Sequence, residues 1–438
     1  MTDAIVLGGG LAGLAAAQRL CDAGLQVTVV EARDRLGGRV ATERDPAIDY
    51  PIELGPEWLD RGGPMHRLCA GTGARVRDAV GKFVWRENGV FHGSDDAPGE
   101  GAELRRRIRQ LDGPDRSLAD AIAACCPGDD LAVARRDLLA YVRGFHAADP
   151  SQLSLQWFIE TEENQPAAMS SARSLDGTDM AVNVLRQHVE MSAAVALGTV
   201  ATDVRWRPGS VEVDTLRAGR MSTLRAATLV VALPVATLQP GAAGAGAVRF
   251  APTLGEKVIA LQHLATGAVT KVMLLFGEAF WRDAEAFEGA LFVNDPALAI
   301  PTWWTTSPVD APLLTGWVGG PAAARFAAMR PEALETAAID AVAKLTDVPL
   351  PEVMRRLRQM YHHDWQRDPF SRGAYSWIRV GGIDAPRQLA EPVAGSLFFA
   401  GEATCSEGRN ATMDGALTSG WRAADELLTA RGAGLPRP

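Results

Sequence analysis

The opening segment, from Ala4 to Arg33, restricts this chain more than any other. Ala4–Leu7 is apolar at every position and runs directly into Gly8, Gly10 and Gly13, which have GxGxxG spacing. An unbroken apolar run suits a strand buried on both faces. Leu11 to Ala23 then reads as a helix stopped by Gly24, and Leu25 to Val30 as a second, parallel strand. Each glycine has its own steric task. Gly8 permits the tight turn, Gly10 lets backbone approach a pyrophosphate, and Gly13 lets helix and strand pack closely. The first helical amides, around Leu11 and Ala12, are offered to an anion. Glu31 closes the second strand near the spacing of about 20 residues at which a carboxylate accepts both ribose hydroxyls, and it disfavours a 2′-phosphate. Glycines alone would fit a packing turn. Strand, loop, helix, strand and acid in this order read as a dinucleotide-binding unit.

A chain of 438 residues is longer than one hydrophobic core usually serves, which predicts two to three domains or one elaborated α/β body. The net charge of −9 and the lack of a long basic run exclude a nucleic-acid surface. The cluster Arg105, Arg106, Arg107 and Arg109 has helical spacing and reads as a solvated helix face. The five cysteines, Cys21, Cys69, Cys125, Cys126 and Cys405, have neither disulfide nor zinc spacing, so no metal site and a reducing compartment are expected. No apolar run reaches about 18 residues, and the N-terminus enters a strand without a leader pattern. The expectation is a cytoplasmic protein without a membrane partner; oligomeric state is left open.

Beyond about residue 75 the pattern becomes Arg/Ala/Leu-rich and predicts a helical insertion, with helices from Ala102 to Arg109 and from Leu118 to Phe145 around a Pro-Gly turn at 127–128. Strand patterns return at Val200–Val213, Ala227–Leu233, Lys271–Phe276 and Ser396–Ala400, before a closing helix from Ala416 to Ala430.

After Glu31 the chain reads Ala32-Arg33-Asp34-Arg35-Leu36-Gly37-Gly38-Arg39. Gly37-Gly38 allows backbone contact with a ribityl-pyrophosphate, and Arg39 can neutralise phosphate by directed hydrogen bonds. A surface role explains Arg33 and Arg35 equally well. The run resembles the extended FAD motif of the glutathione-reductase-like flavoproteins, above all the flavin monoamine oxidase and polyamine oxidase family. The resemblance continues through Glu53-Leu54-Gly55-Pro56-Glu57-Trp58, Val200, Val231-Ala232-Leu233-Pro234, Phe399-Ala400-Gly401-Glu402-Ala403-Thr404 and Thr412-Met413-Asp414-Gly415-Ala416-Leu417.

The resemblance implies a flavin site that includes Gly55 to Trp58 beneath the ring, the Val200 backbone at the adenine, and Gly401, Glu402, Thr412, Met413 and Ala416 at the flavin end. It also implies that Lys271 reaches flavin N5 through a water, that Trp365 packs on the flavin, and that Tyr375 is one wall of an aromatic cage around the substrate amine. Without it, Lys271 reads equally as a solvent-exposed edge-strand lysine, and the aromatics as core. The family's covalent cysteine is replaced by Ala374, so noncovalent FAD is expected; its second cage tyrosine is replaced by Thr412, which leaves the cage half open. Trp303 and Trp304 fit cavity lining and packing equally, while Glu162 and Glu163 read as an exposed acidic loop.

The implied fold is α/β with α+β character. A Rossmann-like FAD domain is assembled from residues 1–75, 175–260 and 385–438; residues 76–174 and 261–384 form a substrate domain with a mixed sheet and the helical insertion. The implied activity is oxidation of a small-molecule amine by hydride transfer from its α-carbon to flavin N5, with the imine hydrolysed and O2 reduced to H2O2. Alternatives are an L-amino acid oxidase, with Arg173, Arg372 or Arg379 pairing a substrate carboxylate, a flavin desaturase, and a non-enzymatic FAD-binding scaffold.

Overall fold

A computed structural model describes residues 2–87, 89–93, 100–164 and 171–432. The strands Ala194–Ala196, Val27–Val30, Ala4–Leu7, Thr228–Val231 and Leu397–Phe399 form one all-parallel sheet in that spatial order. Its central strand is apolar throughout because both faces are covered. Val6, Val29, Val230 and Phe398 pack with the helices Leu11–Asp22, Asp179–Ser192 and Met413–Gly432. Ile5, Leu7, Leu229 and Leu397 share a core with an antiparallel meander and the helical insertion.

Two sequence expectations need correction here. Val200–Val213 is two antiparallel strands, Thr199–Arg207 and Ser210–Arg217, with Val204 paired to Val213 and Trp206 to Val211. The alternation that read as one strand is the same inward face met twice, before and after the turn at Pro208-Gly209. The region after residue 75 is not helical from its start: the strands Val76–Asp78, Lys82–Glu87 and Val90–Gly93 precede the helices Glu100–Arg109, Leu118–Cys125, Ala132–Gly144 and Leu155–Asn164. The arginine cluster lies on the first of these helices, with Arg105 on Glu162, Arg106 and Arg107 on Glu103, and Arg109 on Glu163.

A second, seven-stranded mixed sheet has the order Leu357–His362, Val269–Phe276, Leu313–Gly319, Thr302–Trp304, Ala290–Asn294, Lys82–Glu87 and Val90–Gly93. Strand alternation divides its faces. Val272, Leu274, Phe276, Leu314, Val318 and Trp303 pack beneath the helix Pro331–Thr346. The opposite face carries Lys271, Met273, Thr315, Trp317, Trp304 and Phe292, and this face is the one that positions the candidate site. Among the described residues no helix is long and apolar enough to cross a membrane, and the five cysteines are free.

Candidate active site

One end of the site lies where the parallel strands finish. Gly8 turns the chain at φ +99°, where a Cβ would sit 2.6 Å from the Ala232 carbonyl oxygen. At Gly13 a Cβ would lie 1.8 Å from the Gly8 oxygen, so helix and turn can be this close only without a side chain. Gly10 differs: its absent Cβ would have only the Gly38 Cα within reach, at 3.8 Å. Gly10 also provides no side-chain cap, which leaves the first-turn amides of Leu11, Ala12 and Gly13 available to an anion.

Glu31 is buried, and its two carboxylate oxygens each accept one backbone amide, from Gly9 at 2.7 Å and from Arg33 at 2.8 Å. Each oxygen keeps a free lone pair, the arrangement that two ribose hydroxyls require. The Thr199 amide donates to the Glu31 carbonyl, which brings Val200 alongside; Ala32 adds no polar side chain. The Arg33 guanidinium stands 3.7 Å from Glu31 through Nη1 and donates through Nη2 to Asp368 and to Ser371 Oγ, both at 2.8 Å. Its role here is to fasten the 368–371 loop to the nucleotide end. These features fit a dinucleotide: an open glycine turn, uncapped amides and a buried acid.

The Gly37-Gly38 run lies against the glycine turn, with the Gly37 amide on the Gly9 carbonyl at 2.8 Å. Arg39 donates to the Ala374 carbonyl at 2.6 Å and pairs with Glu402 at 3.0 Å. Glu402 is a buried hub that also accepts from Ser376 Oγ at 2.6 Å and from the Ala411 amide at 3.0 Å. Gly401, at φ +127°, donates its amide to Ser419 Oγ. Thr412 caps the last helix, accepting from the Gly415 amide at 2.9 Å and donating to the Arg409 carbonyl; Met413 and Ala416 form that helix's first turn. Gly55 passes so near Arg39 that a Cβ would meet its carbonyl oxygen at 2.0 Å, and Pro56 follows it. Trp365 lies across Gly55 and donates its indole N–H to the Leu54 carbonyl.

The other end is the aromatic face of the mixed sheet. Lys271 is only 4% exposed. Its ammonium donates to Glu57 at 2.6 Å and to the Gly55 carbonyl at 2.9 Å, and it lies over the Trp304 ring. This overturns the edge-strand reading: the strand has a partner on each side, and the ammonium points inward. Glu57 also accepts from Trp304 Nε1 at 2.9 Å and stands 3.3 Å from Arg173. Burial pushes the Glu57 carboxyl up, but Lys271 and Arg173 hold it below the usual range. Trp58 is in contact with Trp304 and Phe292 and lies under the Arg173 guanidinium. Tyr375 is brought to the same face, its ring 6.5 Å from Trp317 and its hydroxyl raised above the usual range by burial.

Several readings divide on this geometry. Trp303 is core, buried beneath Gly316, whereas Trp304 faces the site. Arg372 is tied to the Ala243 and Ala245 carbonyls and Arg379 to the Gln262 carbonyl, both outside this face. Arg173 alone reaches it, already paired with Glu57. Glu162 and Glu163 are not on a loop but on a helix, and Glu162 is shielded by Arg105, Tyr141 and His146. Sequence reasoning missed Trp317. Its signal was register with Lys271, which exists only once the two strands are paired.

A glycine turn and buried acid at the end of a parallel sheet, facing a buried lysine among aromatic rings, define a flavin-dependent oxidoreductase acting on amines. The family model described as flavin containing amine oxidoreductase matches residues 11–428, and the chain belongs to that family. It is 27% identical to polyamine oxidase 3 of Oryza sativa subsp. japonica over 97% of this chain and 88% of that protein. Its fold matches the cyclohexylamine oxidase of Brevibacterium oxydans IH-35A, with a TM-score of 0.79 and 21% identity over 99% of both chains. A putrescine oxidase bound to putrescine matches equally well, at 0.79 and 19% identity over 98% of this chain and 99% of that one.

Proposed function

We propose that this enzyme holds FAD noncovalently across the crevice between residues 1–75, 175–260 and 385–438 and the aromatic sheet face of residues 76–174 and 261–384, and that it oxidises an amine there with O2 as the final acceptor. The observation that carries this reading is Lys271, an ammonium that joins the two halves through the Gly55 carbonyl and Glu57 while facing the aromatic wall. When bound, the flavin accepts two electrons from the amine and passes them to oxygen. Gly10, Leu11, Ala12 and Gly13 would hold its phosphates, Glu31 its ribose, and Gly55, Trp365 and Gly401 its ring end. Trp304 and Tyr375 offer ring faces to nitrogen as it gains positive character, and the buried surroundings exclude water. Lys271 supplies fixed positive charge where oxygen gains electrons. Ala374 supplies no thiol for a covalent link.

Amino acid oxidation is the weaker reading, because Arg173 is almost wholly buried, its Nη1 held by the Thr305 and Ser307 carbonyls and its Nη2 beside Glu57. Anaerobic addition of an amine should bleach the yellow cofactor, and admitting air should restore it with peroxide formed. Denaturation should release the flavin. Bleaching by carboxylated amines alone, or flavin retained on the denatured chain, contradicts the corresponding part of this reading.

A further inference from the structure

We propose that the cavity beside Glu57 is a binding site for a small monovalent anion, a halide or one of similar size, held by Arg173. This goes beyond amine oxidation and does not rest on it. Arg173 lines the cavity together with Tyr50, Glu53, Glu57 and Ser174. It is 1% exposed, and its Nε and Nη2 have no well-aligned hydrogen-bond acceptor among the described residues. Buried guanidinium donors are rarely left so, because each has given up water without replacement.

The side chain is not free to swing toward another partner. Its Nη1 donates to the Thr305 and Ser307 carbonyls at 2.7 and 3.2 Å, and the guanidinium lies 4.0 Å over the Trp58 ring. Glu57, 3.3 Å from Nη2, does not balance this charge. Its carboxylate already accepts from the Lys271 ammonium at 2.6 Å and from the Trp304 indole N–H at 2.9 Å. Two cations therefore share one carboxylate, and a net positive charge is left at the cavity wall.

The other lining groups suit an anion. Ser174 Oγ is buried and has no hydrogen-bond partner among the described residues. Desolvation pushes the Tyr50 hydroxyl up to about 12, so it stays a neutral O–H. Burial raises the Glu53 carboxyl from 4.5 to about 7, so in mildly acidic solution it sets no charge against an anion. Among the described residues these are the ionisable side chains that line the cavity, and Lys271 acts on it through Glu57. A water molecule would accept from two donors, would have to place two protons of its own, and would leave the charge uncompensated. A small anion accepts from all of these donors and offsets the charge.

The test uses the flavin-loaded enzyme and bromide. In crystals soaked in sodium bromide, diffraction at the bromine edge should place an anomalous peak within about 3.5 Å of Arg173 Nε. In solution, with ionic strength held constant by sodium gluconate, bromide should raise the melting temperature saturably, by mass action on the folded state. Arg173→Lys keeps the charge but loses the Nε donor, and should weaken the apparent affinity about tenfold. Raising the pH from about 6 to about 8 ionises Glu53, and should weaken bromide binding severalfold in the parent but not in Glu53→Gln. Density without anomalous signal beside Arg173, which marks a water, would overturn the inference, as would a bromide effect equal in Arg173→Lys and parent. Should Arg173→Lys not fold, the Glu53→Gln comparison decides: the same pH dependence in both proteins would overturn the site, and its loss in the variant would support it.

Discussion

At the scale of single residues, Glu57 decides what Lys271 can do. A buried carboxylate between an ammonium at 2.6 Å and a guanidinium at 3.3 Å is neutralised in place, and the trio keeps net positive charge beside Gly55. Such clusters are poor sources of stability, but removing one member leaves uncompensated charge in the interior, which costs about 3–5 kcal/mol. Glu57→Gln leaves Lys271 and Arg173 as neighbouring cations without their counter-ion, which favours loss of the lysine proton. Reoxidation of the reduced enzyme by O2 should then be slower in Glu57→Gln than in the parent at the same pH. Stopped-flow reoxidation traces check this, with Glu57→Asp, which keeps the negative charge, retaining most of the parent rate. Equal rates for Glu57→Gln and parent would mean that the carboxylate does not govern the charge on Lys271.

Among the elements, the helices Leu11–Asp22 and Met413–Gly432 pack tightly at a glycine that no motif picked out. A Cβ on Gly420 would sit 2.2 Å from the Ala12 carbonyl oxygen and 2.9 Å from the Ala15 Cβ. Gly420→Ala gains about 1 kcal/mol of helix propensity, whereas overpacking a tight interface loses about 1–3 kcal/mol. Steric loss wins, and it pushes on the helix whose first-turn amides are left without a side-chain cap. Melting temperature and FAD affinity should both fall in Gly420→Ala. Gly71→Ala, at a helical position with open space around it, should leave both nearly unchanged. If Gly420→Ala melted as high as the parent, the helices would have room that this packing denies. What the sequence made legible follows the same physics. The strands at Ala4–Leu7 and Thr228–Val231 were visible because burial on both faces makes their positions apolar, Thr228 excepted. The mixed sheet was mostly hidden because its two faces are both non-polar, as adjacent Trp303 and Trp304 illustrate, so alternation leaves no contrast. Lys271 and Tyr375 were singled out by the resemblance of the segments around them; Glu57 as the lysine's partner was not, because that pairing spans more than two hundred residues.

For the molecule as a whole, two acids, Glu53 and Asp368, pull the pH dependence of stability in opposite directions. Glu53 accepts from the Thr178 amide at 2.7 Å, Thr178 Oγ1 at 2.9 Å and Thr42 Oγ1 at 2.8 Å, joining the Thr42–Glu43/Ile52–Glu53 pair to the helix Asp179–Ser192. Burial outweighs these hydrogen bonds and raises its carboxyl from 4.5 to about 7. The folded chain therefore holds a proton that the unfolded chain has released, and stability falls as pH climbs from about 4.5 to 7. Asp368 acts in the opposite sense. Burial opposes its ionisation, but His363 and Arg33 overcome this and depress its carboxyl, so its stabilisation is present above its ordinary value of 3.8 and is lost on acidification below that value. The two terms together predict greatest stability in mildly acidic solution. Glu53→Gln keeps an acceptor but has no proton to lose, so its melting temperature should vary less between about pH 5 and 7 than that of the parent, with the difference largest at the upper end. Parallel melting curves for the two proteins across that interval would show that Glu53 is already ionised in the fold, and that Lys271 and the threonines together outweigh the effect of its burial.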